Sequence, residues 1–425
     1  MNLLTNLFSG NQVFIDRFIG WKSIVIAFVM AIFPICRILG FIPEEASLYI
    51  YYGSLATGAT YAFFNLKHIM TAPTVMIAVC ILSILIGNPA PVFSSWTRLG
   101  LFLMVILSVF PLLQSDRLMA YRGKITFFTL WIIVAVSVGS LIAFFLGINY
   151  MRLDYNYVYL DLTEAGIFGG LTTHSMVLGP ISGVAIIFLI WRMTCINKGL
   201  LKITISLLMC VACIAALFLS ASRGALVATA ASVLIVIYLK SRHKWSNLMN
   251  AFLVSVLLFA VFSPVIIPFT SGVIEKQQNN IQSGSTFFSR EAKWNNRWEE
   301  FIDNPFFGVG FSAMDPKNTE DYFIDTGVNE PGSSWLAILS MTGIIGFITF
   351  FYLVFFTYKR LWKMAGPHNK DSILILGVFS LFLIHLIIEG YIYAAGSYLC
   401  YLFWLIFGNG LSLAHKKVAM TRKRL

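Results

Sequence analysis

An all-α, polytopic membrane protein is the fold class this 425-residue sequence predicts, with about twelve transmembrane helices and one large outer loop holding short helices. Three observations lead there. Hydrophobic residues make up 58% of the chain and charged residues only 12%, with a mean hydropathy of +0.80; a soluble chain would carry about 25% charged residues. The apolar material comes in runs of about 17 to 24 residues, enough to cross a hydrocarbon core of about 30 Å. Short connections join most of the runs, so a single integral domain over residues 1–425 is expected.

In chain order the runs centre near residues 29, 56, 78, 105, 136, 184, 211, 232, 258, 345, 380 and 404. No A-x-A-like cleavage site follows a short apolar region, so no removable signal peptide is expected. Lys and Arg set the orientation of such a chain. With both termini in the cytoplasm, 21 of the 30 Lys and Arg residues fall on that side, including "KSRHK", "YKRLWK" and the tail "HKKVAMTRKRL". The same arrangement puts 16 of the 19 acidic residues outside, against nine basic ones. The net charge of +11 is therefore a topology signal. No extended basic surface with interleaved aromatics occurs, so no nucleic-acid partner is expected.

The six cysteines fall in spans or near the cytoplasmic face, and no disulfide is expected. Cys210 and Cys213 form a C-x-x-C inside an apolar helix, where they read as small hydrophobes.

Two outer segments, about 148–175 and about 270–333, break the rhythm of short loops. Loops beyond about 15 residues are commonly functional or disordered. Within the second, "SREAKWNNRWEEFIDNPFFGVG" has helical periodicity, ended by Pro305, Gly308 and Gly310. The two halves show no paired broken helices, and intramembrane charges are few, which lowers a transporter reading.

The polar groups that could do chemistry gather on the outer side. Arg223, in "LSASRGALVATA", sits at a tight turn between two apolar runs; it is either an interfacial anchor or a guanidinium facing a shared cavity. Such a group presents a rigid fork of donors suited to phosphate oxygens. Arg290 and Arg297 are seven residues apart and so share a helix face, with Trp294 between them. They could form a cationic clamp for a lipid-linked diphosphate, with Trp294 and Trp298 at headgroup level or stacked on sugars. A solvated amphipathic helix on the lipid surface gives the same pattern. His174, at the start of a span, and His385, four residues before Glu389, are the two outer histidines; structural roles compete with catalytic ones for each. Glu44 and Glu45 read first as surface acids. No D-x-D or H-x-x-H motif occurs, and no metal or cofactor is expected.

At "SASRGALVATAASVLIVIYL", "NRWEEFIDNPFFGVGFS" and "SSWLAILSMTGIIGFITFFYL" the chain resembles the O-antigen ligase and Wzy polymerase superfamily, bacterial membrane glycosyltransferases that use undecaprenyl-diphosphate-linked glycans. The shared pattern is a Ser/Thr-Arg turn, an Arg before "NPxxGxG" in a large periplasmic loop, and a "GxxG" in the next helix, here Gly343 and Gly346. Arg297 to Gly308 fits the R-x10-G spacing described for Wzy polymerases. "GGLTTHSMVLGPISG" is similar to the family segment before a central span. The resemblance covers about residues 165–350. It implies a multi-pass protein of the bacterial inner membrane with its active site facing the periplasm.

Ligases of this family carry a His-Asn/Ser pair eleven residues before "GxxG", and that histidine is thought to be catalytic. Gly332 and Ser333 stand at those positions here. Its absence favours a polymerase, joining lipid-linked repeat units into O-antigen or a related surface polysaccharide. The alternatives are a ligase passing the glycan to lipid A core or protein, and a flippase of lipid-linked sugars. The expected donor is an undecaprenyl-diphosphate-linked glycan, and the expected acceptor is a lipid-linked repeat unit or lipid A core. Membrane lipids surround the site, and a chain-length regulator is a possible partner. Arginines can stabilise the departing diphosphate without metal, and the acceptor hydroxyl needs a base. The catalytic expectation is Glu330, Arg297 and Arg223; the substrate-binding one is Arg290, Trp294, Trp298, His174 and Ser333. Glu330, beside Pro331 and Gly332 before a helix start, could equally serve the helix dipole, and Ser333 is expected to cap that helix.

Overall fold

The computed structural model describes residues 20–87, 94–151, 168–196, 199–241, 288–315, 331–366 and 369–422. These residues are mostly helical, as lipid requires, because a helix satisfies its backbone polar groups internally. α1 (Trp21–Ile32) runs through a 3-10 turn (Pro34–Ile38) into α2 (Glu44–Phe64). The two-residue strand β1 (His68–Ile69), α3 (Thr71–Ile86), α4 (Ser95–Val109), β2 (Leu113–Gln114) and the long α5 (Asp116–Phe145) follow. Next come α6 (Ser175–Trp191), α7 (Leu200–Leu219), α8 (Arg223–Ser241) and α9 (Phe288–Asp303). α10 (Ser334–Met364), α11 (Lys370–His385) and α12 (Tyr398–Arg422) complete the described chain.

The chain is a multi-pass membrane protein. Spans containing α1, α5, α6, α7, α8, α10 and α12 are long and apolar enough to cross a membrane, and α3 and α4 are shorter apolar helices. About twelve such spans were expected. α2 opens on Glu44 and Glu45 and carries Ser, Thr and Tyr along its length, and α11 has only 16 residues. The expected span near residue 258 lies outside the described residues, as do parts of both long loops.

The core is built around α6, which is buried along nearly its whole length between α5, α7, α8 and α11. Small residues bring these helices together: a Cβ on Gly183 would stand 2.2 Å from Thr229 Oγ1. A second packing centre surrounds Trp404 of α12, with Phe102, Phe110, Phe350 and Phe407 in aromatic contact. All six cysteines are free thiols.

The two ends of the bundle are built differently. At the end expected to face the cytoplasm, β1 and β2 form an antiparallel pair, His68 opposite Gln114. Buried Arg122 of α5 donates to the Leu113 carbonyl at 3.3 Å, to Gln114 Oε1 and to Ser412 Oγ at 3.2 Å. Asn409 of α12 returns a bond to the Arg122 carbonyl at 3.1 Å. This polar tie fixes α5, α12 and the short strand pair to one another.

At the opposite end α10 is broken. Gly343 adopts φ 64° and ψ −171° inside the helix. That break frees backbone groups, which the segment after α9 then satisfies. The Ile344 amide donates to the Pro305 carbonyl at 2.8 Å, and the Val309 and Gly310 amides donate to Ser340 and Met341 at 2.8 and 3.2 Å. A Cβ on Gly343 would sit 2.2 Å from the Phe306 oxygen, and one on Gly308 2.4 Å from the Ser340 oxygen. The "NPFFGVG" and "GIIG" stretches are thus two halves of one backbone junction.

Candidate functional site

The start of α10 seats on the turn that links α11 to α12. Ser334 donates through its amide to the Leu386 and Glu389 carbonyls at 2.9 and 3.0 Å, and through its hydroxyl to the Glu389 carbonyl at 2.6 Å. Pro331 packs on Gly390, where a Cβ would be 2.3 Å from Pro331 Cγ. Ser333 occupies the N-cap position but makes no side-chain capping bond; its hydroxyl instead points to the Leu386 carbonyl at 3.4 Å. The expectation of a serine cap is corrected: the hydroxyl donates to the docked turn and does not accept from the first turn of α10.

Against this junction α9 places Arg290. Its Nη2 meets Glu389 Oε1 at 2.7 Å, with both side chains largely buried. The Glu389 charge also reaches Tyr391, whose phenol is raised well above its usual range, first by burial and then by that charge. Tyr391 OH lies 3.1 Å from His385 Nδ1. Arg290–Glu389 and Tyr391–His385 are thus two polar pairs at the turn that follows α11.

Arg223 is the first residue of α8 and is partly exposed. The next residue presses on the same turn: a Cβ at Gly224 would lie 3.3 Å from Ile388 Cδ1 and 3.7 Å from His385 Cδ2. Arg290 is close enough for its charge to act on Arg223 and on His385. The start of α8, which carries Arg223, and Arg290 of α9 thus both meet the turn that follows α11.

Arg297 has a different setting from the expected clamp. It is fully buried, and its Nη1 meets Glu300 Oε2 at 2.8 Å, the Ala313 carbonyl at 3.2 Å and Ser340 Oγ at 3.3 Å. Glu300 in turn accepts from the Asp315 amide at 2.9 Å. Arg297 thus ties α9, the segment after it and α10 together from inside. Heptad spacing gave Arg290 and Arg297 one face, but that face runs from the junction into the core.

The remaining expected residues spread around this centre. Trp294 Nε1 donates to the Gly332 carbonyl at 3.2 Å, tying α9 to the residues before α10. Trp298 is exposed and its ring packs on Phe301 with centroids 5.5 Å apart. His174 caps α6 by accepting from the Met176 amide at its Nδ1, 3.0 Å away. Glu330 lies outside the described residues. Glu44 pairs with Arg37 at 3.1 Å, and Arg37 also donates to the Gly396 carbonyl.

Sequence reasoning missed two members of the site. Glu389 was visible as a charge at a helix end, but its partner lies 99 residues away. Arg98, at the start of α4, donates to Ser312 Oγ at 3.3 Å and lines a cavity of about 30 Å³ with Pro331, Gly390 and Tyr393. A run of "SSWTRLG" at a helix start carries no sign of that convergence.

Residues 208–351, about a third of the 425, match the family model described as O-antigen ligase. No curated protein sequence matches the chain. The matched stretch contains Arg223, Arg290, Arg297, the broken helix and its partner segment, and stops before His385 and Glu389. Over that stretch the chain is similar to the O-antigen ligase family, in line with the resemblance read from its motifs.

Proposed function

We propose that this protein is a glycosyltransferase of the bacterial inner membrane, facing the periplasm, that polymerises undecaprenyl-diphosphate-linked repeat units into O-antigen or a related surface polysaccharide. The observation that supports this reading is that the start of α8, which carries Arg223, packs on the same α11–α12 turn whose Glu389 meets Arg290 of α9, with both arginines inside the matched family stretch. Guanidiniums suit a diphosphate because their forked donors match its oxygens and stabilise the charge that builds as the sugar departs. Arg297 serves the same site by holding α9 against the broken helix. Trp294, Trp298, His174 and Ser333 surround the sugars or their approach. The acceptor hydroxyl gives its proton to an outer carboxylate, with Glu330 next to Pro331 in the chain.

Polymerase is favoured over ligase by Gly332 and Ser333, which stand where the family's ligases hold histidine. The ligase reading keeps the support of the matched family's own description.

Purified protein mixed with synthetic undecaprenyl-diphosphate oligosaccharide tests the proposal. Products two or more repeats long, still on the carrier, are expected from wild type and not from Arg223→Ala. Transfer only to added lipid A core, with no lengthening on the carrier, would make it a ligase.

A further inference from the structure

Glu389 is the wrong charge for a site that receives a diphosphate. Its carboxylate nevertheless holds the guanidinium best placed to receive one, Arg290, at 2.7 Å. The carboxylate is not there by accident of a loose side chain. Its backbone carbonyl is fixed by both the amide and the hydroxyl of Ser334, and the neighbouring Gly390 is pressed against Pro331. Both side chains of the pair are largely buried, at 10% and 15% exposure, so water screens the contact only partly.

We infer that Glu389 is a built-in counter-anion that occupies the diphosphate position of Arg290 and sets how tightly the lipid diphosphate is held. This rests on the proposed lipid-diphosphate donor. Arg223 and Arg290 together would bind a diphosphate strongly, and a product held that strongly would leave slowly. A carboxylate competing for one of the two guanidiniums lowers that affinity for donor and product alike. Glu389 moves aside as the diphosphate arrives and returns as the carrier departs. No bond is made or broken in this exchange; one ion pair replaces another.

The claim fixes a sign that a purely structural role does not. Removing a residue that merely positions Arg290 weakens binding, whereas removing a competitor strengthens it. The test measures Kd for undecaprenyl diphosphate, and separately for inorganic diphosphate, on the full-length protein in detergent or nanodiscs. Glu389→Gln keeps the shape and can still accept from Arg290, but loses the charge. It is expected to bind undecaprenyl diphosphate about tenfold more tightly, with slower release and a lower kcat under multiple turnover. Glu389→Asp, too short to keep the contact, is expected to move in the same direction and covers the case of a misfolded glutamine variant. The gain should vanish in Glu389→Gln/Arg290→Ala. Tightening for the lipid diphosphate but not for inorganic diphosphate would mean that the site reads the headgroup only when the carrier chain is bound. Unchanged or weaker binding in both Glu389 variants would overturn the inference while leaving the proposed function standing. Absence of wild-type binding to undecaprenyl diphosphate would overturn both.

Discussion

Arg290 Nη2 stands 2.7 Å from Glu389 Oε1, joining α9 to the α11–α12 turn across 99 residues of chain. Seven residues along the same helix, Arg297 makes an equally short contact of 2.8 Å with Glu300. The two pairs differ in burial: Arg297 is enclosed completely, while Arg290 remains 8% exposed at the junction. Arg297 thus ties the fold together from inside, and contact with substrate is proposed for Arg290.

Arg297→Ala is expected to destabilise the protein by roughly 3–5 kcal/mol, because the Glu300 carboxylate would stay buried without its cationic partner, with only the Asp315 amide still donating to it. Thermal unfolding in detergent reads the loss. Arg297→Met combined with Glu300→Gln should recover much of it, since both charges then go together. Normal stability in Arg297→Ala would give this arginine a direct role in chemistry instead.

Arg223→Ala is expected to lower glycan transfer by about 100-fold, the usual cost of one donor to a developing anion. Its melting temperature should stay near that of wild type, because the side chain is partly exposed at a helix start. Steady-state kinetics and a melting curve on the same preparation check both halves.

Gly343→Ala is expected to undo the junction between α10 and residues 305–310. The φ of 64° costs about 1–3 kcal/mol for a residue with a Cβ. The added carbon would also meet the Phe306 carbonyl at 2.2 Å. Limited proteolysis around residue 306 should speed up in the variant. Gly346 has no positive φ, but a Cβ there would meet Thr342 Oγ1 at 2.0 Å, so alanine at 346 is expected to cost through that side chain and to leave the 305–310 backbone junction intact.

Asn409→Leu is expected to cost roughly 1–3 kcal/mol, since the Arg122 carbonyl and the Thr126 hydroxyl both lose the buried donor that ties α12 to α5. The effect should appear in thermal unfolding, with transfer per folded molecule unchanged, because Asn409 lies at the far end of the bundle from Arg290.

Much of this architecture was legible in the chain. Apolar runs gave a multi-pass helical protein, and the Ser-Arg-Gly turn, the "NPFFGVG" segment and "GIIG" pointed to one family. What they do together was not legible. "GIIG" read as a small-residue motif, whereas Gly343 breaks the helix and leaves flanking backbone groups to pair with residues 305–310. Arg297 read as half of a clamp by its seven-residue spacing from Arg290. Glu300, three residues on and thus on the same face, marked a pairing partner, but such a pair is ordinarily a surface feature and gave no sign of burial. The pair of β1 and β2 is two residues per strand, too short for alternation to register. Glu389 could not be matched to Arg290, because nothing local records a contact made by chain closure.

The account rests most on transfer from a lipid diphosphate carrier, and the lipid-linked products that accumulate when the gene is deleted test it most directly. Carrier bearing a single repeat unit, exposed on the periplasmic face and restored to long chains by wild type but not by Arg223→Ala, is the predicted result. Full-length carrier-linked chains that fail only to reach lipid A, or repeat units confined to the cytoplasmic face, would contradict it.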